Sequence, residues 1–575
     1  MPRSAITQAT IFGAICCVMA GGAAPLWAMP GTPAIVEAAH NDDAGAVSAL
    51  IAHHSDVNAR AGDGMTALAW AAMRTNLDVA RALLKAGANP DLANVIGVTP
   101  LVLAIQNGSD PLVRLLLESG AHANVSRTSG ESPLMTAIRL GRIAAAKMLL
   151  DHGADVNAHE NKFEQTALMW AAGQPDEVRL LLDHKADFRA TTKSWDIKAR
   201  KYGTGFNTLG RTGIPWVVEG EFDTKVGGYD ALLFAVEQRD LESARMLIEA
   251  GADVNRAAAD GTTPLLMSLY QFQVSSGGLD VDLPMASFLL DHGAKANVAD
   301  LSGYTPLHGV ALAVAGITNP RAAGRGGRRR PAPDGMETRP ANRNPVAARA
   351  AAAVISRRGG LATGDIPQLA GLLAMAKRLL DAGADPNHQT VHPTPGPIGD
   401  TRVNPAPPGS SSFHVAATSK NVDLLRLMEE HGANPNLVDQ EGHTPFSVAV
   451  KSGNLDDVKE MMAHGADLSA RYNPADMIAD PVESIARPRK GQTIMHVAVV
   501  AGQVSVIQYL YSQGVPLDLK NEAGETPLML ADSIERFRLA EAKQNGRNAT
   551  RSTALTGAIQ KLLTEGAPKQ SAAVR

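Results

Sequence analysis

The sequence predicts an all-α repeat solenoid, in which helix-turn-helix units and β-turn fingers stack along one direction. Three observations lead to this fold class. The segment that opens at Gly64 recurs at Gly97 and again at Gly130, at a constant interval of 33 residues. Most units also end in a variant of Leu-Leu-x-x-Gly-Ala-Asp-x-Asn, as at residues 149–157. Aromatic residues make up only 4% of the 575 residues, which suits close packing of short helices through small side chains.

Each element of a unit follows from the residue types at its ends. Thr99 is a good N-cap and Pro100 a good first helical residue, so a first helix is predicted after Gly97. The polar turn at residues 107–109 reverses the chain, and a second helix ends at Gly120, because glycine adopts the left-handed C-cap conformation without steric cost. The following residues form the finger. The same Thr-Pro pair opens units at Thr263, Thr305, Thr444 and Thr526.

The period and both ends of this motif resemble the ankyrin family, and the resemblance covers nearly all of residues 34–568. The period corresponds to about eleven or twelve units. The resemblance implies that His308, His414 and His496 are structural and bond between neighbouring turns. It also implies a protein-binding groove made of fingers and first helices. Its variable positions, which we expect to be exposed, are Val98, Gln106, Asn107, Glu131, Arg139, Leu140, Tyr229, Glu237, Gln238, His443, Lys451 and Gln492.

The chain begins like an exported protein. Arg3 precedes an apolar stretch at residues 11–24, and Leu26-Trp27-Ala28 offers a cleavage site, so residues 1–28 are predicted to be a signal peptide. This predicts a periplasmic or secreted location, and an uncleaved membrane anchor is the alternative. Cys16 and Cys17 both lie in that stretch, so the mature chain would contain neither a disulfide nor a thiol nucleophile.

Breaks in the repeat pattern define the remaining organisation. We predict N-terminal repeats at 29–187, an aromatic- and Gly-rich insertion at 188–227, central repeats at 228–315, a disordered Arg/Pro/Gly-rich insertion at 316–365, C-terminal repeats with a cap at 366–568 and a disordered tail at 569–575. The 188–227 insertion either packs its aromatic residues on the solenoid or presents them for recognition. We favour a solvated loop at 316–365 over an arm that contacts an anionic surface.

No motif in the sequence predicts a catalytic or metal-binding site. Histidines such as His152 and His464 stand just before the Gly-Ala turn, where a helix C-terminus favours an imidazolium. The pairs His53-His54 and His388/His392 lack the helix context of a zinc protease. We therefore expect no catalytic residue, metal site or cofactor. A net charge of −4 does not favour nucleic-acid binding, and the chain is expected to be a monomer.

These observations favour a scaffold that binds a partner protein through the groove, outside the cytoplasm. A secreted effector that acts on host proteins is one alternative. A ligand-binding or enzymatic site in the 188–227 insertion is the other.

Overall fold

The computed structural model describes residues 32–200, 221–269, 271–273, 278–318, 366–391, 409–440, 442–472, 490–544 and 554–565. Its backbone forms two compact units. Unit 1 comprises residues 1–199, 223–268 and 291–294, and unit 2 comprises residues 200–222, 269–290 and 295–575. The predicted signal peptide, the tail and nearly all of the 316–365 insertion lie outside the described residues. The described part holds 24 helices in twelve successive pairs, which confirms the predicted all-α repeat fold.

Unit 1 contains the first six helix pairs. In chain order they are α1 (Ala34–His40), α2 (Ala44–Ala52), α3 (Ala67–Arg74), α4 (Leu77–Lys85), α5 (Pro100–Asn107), α6 (Asp110–Glu118), α7 (Pro133–Arg139), α8 (Ile143–Asp151), α9 (Ala167–Trp170), α10 (Pro175–Asp183), α11 (Ala231–Glu237) and α12 (Leu241–Glu249). First helices pack on first helices and second helices on second helices of the neighbouring repeat. This stacking buries the apolar face that a single pair cannot cover.

The seventh pair, α13 (Pro264–Leu269) and α14 (Leu283–Asp291), is divided between the two units. Unit 2 continues with α15 (Pro306–Thr318), α16 (Ile366–Asp381), α17 (Ser412–Ala416), α18 (Val422–Glu430), α19 (Pro445–Ser452), α20 (Leu455–Ala463), α21 (Ile494–Ala501), α22 (Val504–Ser512), α23 (Pro527–Gln544) and α24 (Ala554–Glu565). Among the described residues, none of the helices is both long and apolar enough to span a bilayer.

The helix ends follow the predicted chemistry. Oγ1 of Thr99 accepts a hydrogen bond from the backbone N–H of Val102 at 3.3 Å, and Pro100 occupies the first turn. Gly108 ends α5 with φ +69°. Lys185 stands where most other units have glycine and still takes φ +67°, a conformation that is strained for a residue with a Cβ. That repeat also has the short helix α9, of only 4 residues.

An asparagine ladder links consecutive repeats. Nδ2 of Asn58 donates to the carbonyl oxygen of Gly87 at 3.3 Å, and Oδ1 accepts from the N–H of Asn89 at 2.7 Å. Asn124, Asn387 and Asn436 repeat both bonds in their own units. Each asparagine thereby satisfies backbone groups that the turn leaves without a helical bond.

The insertions in three fingers leave the finger turns closed. In a short finger, the N–H of Arg127 donates to the carbonyl of Glu131 at 3.0 Å. Thr192 and Tyr229 make the corresponding bond at 2.9 Å, although 36 residues separate them. Thr390 pairs with Ser410 at 3.0 Å, and Tyr472 exchanges two bonds with Gln492 at 2.8 and 2.9 Å. The inserted chain therefore leaves and re-enters each finger at adjacent points.

Short strands occur in the 188–227 insertion and between helices α13 and α14. Strands β1 (Trp195–Arg200) and β2 (Glu221–Val226) pair within the 188–227 insertion, so its two ends form a ribbon rather than the loop that the sequence suggests. Strands β3 (Gln271–Gln273) and β4 (Gly278–Asp280) pair antiparallel between α13 and α14.

Candidate functional site

Most predicted groove positions are accessible, but three are not. Asn107, Gln238 and Lys451 are exposed, whereas Gln106, Glu131, Arg139, Leu140, Tyr229 and Glu237 are half-buried. The exposure expected for Val98, His443 and Gln492 is wrong, since they are only 5%, 9% and 2% exposed. All three follow the finger glycine, where the backbone closes the turn. The N–H groups of Val98 and His443, for example, bond to Oδ1 of Asn94 and Asp439 at 2.9 and 2.8 Å.

Glu131 and Arg139 are paired with each other. Oε1 of Glu131 accepts from Nη2 of Arg139 at 2.9 Å and from Oγ1 of Thr136 at 2.9 Å. Oε2 lies 3.3 Å from Nη1 of Arg127. Burial lowers the pKa of Arg127, against the raising effect of Glu131. This cluster holds finger and first helix together, so its charges are engaged within the fold.

Asn107 also has a structural role. Its Nδ2 donates to the carbonyl oxygens of Ala72 and Met73 at 3.3 and 3.0 Å. Both carbonyls lie in the last turn of α3, where that of Ala72 also accepts from the N–H of the C-cap Thr75. Asn107 therefore caps the first helix of the preceding repeat.

The fingers of unit 1 expose large apolar side chains that the sequence analysis missed. Val95 and Ile96, at the tip before Gly97, are 69% and 61% exposed. Met73, at the end of the first helix α3, is 41% exposed. Trp195 is 40% exposed, while its ring lies 5.9 Å from that of Phe163 in the preceding finger. Trp195 thus combines both interpretations of the insertion, because it packs on the solenoid and still faces solvent.

The fingers of unit 2 follow the same pattern. Leu301, Val391, Val438 and Leu519 all lie in fingers and are 52%, 56%, 55% and 37% exposed. A clear signal was available in the sequence, since aliphatic residues stand next to the polar turn positions of several fingers. Isolated apolar residues on a surface are ordinary, but recurrence at one place in the repeat is informative.

The three histidines singled out by the family resemblance bridge neighbouring repeats of unit 2. In His496, Nδ1 lies 2.8 Å from Oγ1 of Thr493 and Nε2 lies 2.9 Å from the carbonyl oxygen of Glu525. His308 and His414 make the corresponding pairs of contacts. Burial lowers the pKa of His308 to about 3 and also lowers that of His414. The neutral imidazole is therefore a structural bridge, as predicted.

A second cluster joins the second helices α18 and α20. Nδ1 of His464 lies 3.1 Å from Oε2 of Glu429 and 3.9 Å from Oε1 of Glu460. The Glu429 side chain is fully buried, and neither of its carboxylate oxygens accepts a hydrogen bond. Burial raises the pKa of Glu429 to about 7, and the neighbouring His464 opposes this rise. The sequence analysis treated His464 only as a helix-end residue. Its i, i+4 spacing from Glu460 was the available signal.

These features define a class of protein: a helical-repeat solenoid built of paired helices and β-turn fingers. Sequence comparison gives the family. Residues 35–127, 101–192 and 368–472 match the profile for ankyrin repeats in three copies, and residues 490–522 match that for a single ankyrin repeat. The chain is an ankyrin-repeat protein. Ankyrin repeats are generally protein–protein interaction modules and typically non-enzymatic scaffolds.

Two curated proteins share a short stretch of similar sequence with this chain. The potassium channels AKT1 of Oryza sativa subsp. indica and subsp. japonica are each 40% identical to this chain over 72 residues. The stretch covers 12% of this chain and 7% of each channel. The chain therefore spans only a small part of the length of these relatives.

Proposed function

We propose that this chain is a protein-binding scaffold and that the fingers of unit 1 carry a binding surface. The observation that supports this most strongly is the exposure of Val95 and Ile96 at one fingertip, together with that of Met73 at the end of the first helix α3. Contacts between proteins gain most of their energy from a few apolar or aromatic side chains that become buried. The backbone bond from the N–H of Val95 to the carbonyl of Asp63, at 3.0 Å, fixes this fingertip against its neighbour. A rigid apolar tip loses little entropy on binding.

The groove charges are poor probes of this function. Glu131 and Arg139 bond to each other, so reversing either charge would disturb the fold as well as any interface. The double variant Val95→Asp with Ile96→Asp instead changes exposed side chains alone. Ile143→Asp is its matched control, because Ile143 is 38% exposed but begins the second helix α8, away from the fingers.

The test is quantitative crosslinked affinity capture of the full chain from its native cells, read by mass spectrometry. The fingertip variant should capture at least about tenfold less partner protein than the wild type and Ile143→Asp do, as expected when apolar anchors are removed. Thermal unfolding confirms that each variant is folded. Equal capture by all three proteins would refute a fingertip binding surface.

We also propose that the chain acts outside the cytoplasm. The support is Arg3 followed by the apolar stretch at residues 11–24, all of which lie outside the described residues. N-terminal sequencing of the protein recovered from cell fractions and medium tests this. A mature N-terminus near Met29 outside the cytoplasm is expected, whereas intact chain confined to the cytoplasm would contradict the proposal.

A further inference from the structure

We propose that Glu429, Glu460 and His464 form a site for one divalent transition-metal ion of the Zn²⁺ type, which ties two neighbouring repeats of unit 2 together. One ligand atom from each of these side chains lies within 4.8 Å of the other two. Glu429 belongs to helix α18 and Glu460 to helix α20, while His464 is the C-cap residue of α20. A bound ion would thus join two second helices that already pack on each other.

The fully buried carboxylate of Glu429 is the observation that points to a cation. Its two oxygens accept no hydrogen bond, and a buried carboxylate without hydrogen bonds is costly. The side chain also faces the other two ligands, with Oε2 at 3.1 Å from Nδ1 of His464. The N–Oε2 distance is short enough for both atoms to contact one ion at the usual ligand distances of about 2.0–2.2 Å.

The ligand types favour Zn²⁺ over Ca²⁺ or Mg²⁺. An imidazole nitrogen suits zinc and its neighbours, whereas calcium and magnesium prefer sites built of oxygen alone. His464 is 39% exposed in its side chain and Glu460 17%, so the cluster opens to solvent on one side and an ion can enter. Nδ1 of His464 also lies 3.1 Å from the carbonyl oxygen of Glu460, and it would give up that contact to bind the ion.

Arg426 competes for one of the ligands. Its Nε and Nη2 lie 3.1 and 3.0 Å from the two carboxylate oxygens of Glu460. The Arg426 side chain is 49% exposed, and its Nη1 already lies 3.7 Å from Asp423. It can therefore release Glu460 and keep a carboxylate neighbour. This arrangement predicts that removing the guanidinium tightens metal binding.

Calorimetric titration of the full, untagged chain with Zn²⁺ tests the site, with Glu429→Gln and His464→Gln as the site variants. His152→Gln is the matched control, because His152 also ends a second helix with Nδ1 at 2.8 Å from the carbonyl four residues earlier. The wild type and the control should share one site that each site variant weakens by at least about tenfold, the lower range for disturbing a metal site. Arg426→Gln should bind more tightly than the wild type.

The unfolding temperature provides the second measurement. Zn²⁺ should raise it in the wild type and in His152→Gln but not in the site variants, because an ion that binds only the folded state stabilises it. His464→Gln keeps the test valid if the buried Glu429→Gln variant does not fold. Zn²⁺ affinity and thermal shift that are the same in His464→Gln as in the wild type would overturn the proposal.

Discussion

Replacing Asp457 by valine should stabilise the protein, and more so at high pH. Asp457 lies in the first turn of helix α20, and its side chain is completely buried. Val79 and Val506 occupy the equivalent position of two other second helices, so the repeat accommodates an aliphatic side chain there. Burial raises the pKa of Asp457 from 3.8 to about 7, and Asn454 at the N-cap offsets this only in part.

The sign and size of the stability change follow from this rise in the pKa of Asp457. A raised carboxyl pKa means that the folded state holds the proton more tightly, so stability is lost as the pH rises from 3.8 towards 7. A shift of about three units at 1.36 kcal/mol each corresponds to about 4 kcal/mol at pH 8. At pH 5 the carboxyl group is already ionised in the unfolded state but still protonated in the folded state, so about 1.5 kcal/mol of this stability is already lost. The stability difference between variant and wild type should therefore widen by about 2–3 kcal/mol from pH 5 to pH 8.

Denaturant unfolding of both proteins at pH 5 and pH 8, followed by circular dichroism, measures this difference. Asp456→Asn is the control, because Asp456 is the neighbouring acid in the same helical turn and its side chain is 72% exposed. Its removal should change stability by less than about 0.5 kcal/mol at either pH. A stability difference between Asp457→Val and the wild type that is independent of pH would refute the reasoning.

Three further perturbations should have measurable effects. Gly303→Ala should lower the unfolding midpoint, because φ is +80° there and an added Cβ would lie 2.8 Å from the Cα of Thr390; chemical unfolding measures the loss, and an unchanged midpoint would contradict the close approach. His308→Gln should be less stable at pH 7 but less sensitive to acid, because a pKa lowered to about 3 costs the wild type stability as the pH falls below 6.5; unfolding at pH 7 and pH 4 checks both signs. Asn107→Ala should cost about 1 kcal/mol of stability, through loss of its bonds to the end of α3, and leave partner capture unchanged; loss of capture by the folded variant would instead place Asn107 in the interface.

The fold was predictable because the residues that begin and end each helix lie close to that helix in the sequence. Thr99, Pro100 and Gly108 act within a few residues of their position in the sequence, so the pattern alone indicates where helix α5 begins and ends. The bridging histidines were also predictable, since the family motif fixes their neighbours. The ribbon formed by β1 and β2 was not, because nothing in that insertion repeats elsewhere in the chain.

Site residues depend on contacts between repeats, which the pattern does not reveal. Val98 was expected to be exposed, yet it is buried where its finger closes. Glu131 and Arg139 were expected only to be exposed groove positions, but in the fold they form one ion pair across a separation of eight residues. Glu429 and His464 belong to different repeats, and only the stacking register brings them within 3.1 Å. The metal ligands that we propose therefore required the structure.

The closed turns at the three lengthened fingers allow the inserted segments to be exchanged without rebuilding the repeats. At Tyr472 and Gln492, both backbone bonds of an antiparallel bridge are formed, so the two ends of the intervening chain are about 5 Å apart. A segment that starts and ends so close together can be shortened, lengthened or exchanged without displacing helices α20 and α21. New recognition loops could thus be acquired at a fingertip while the packed helices continue to determine stability.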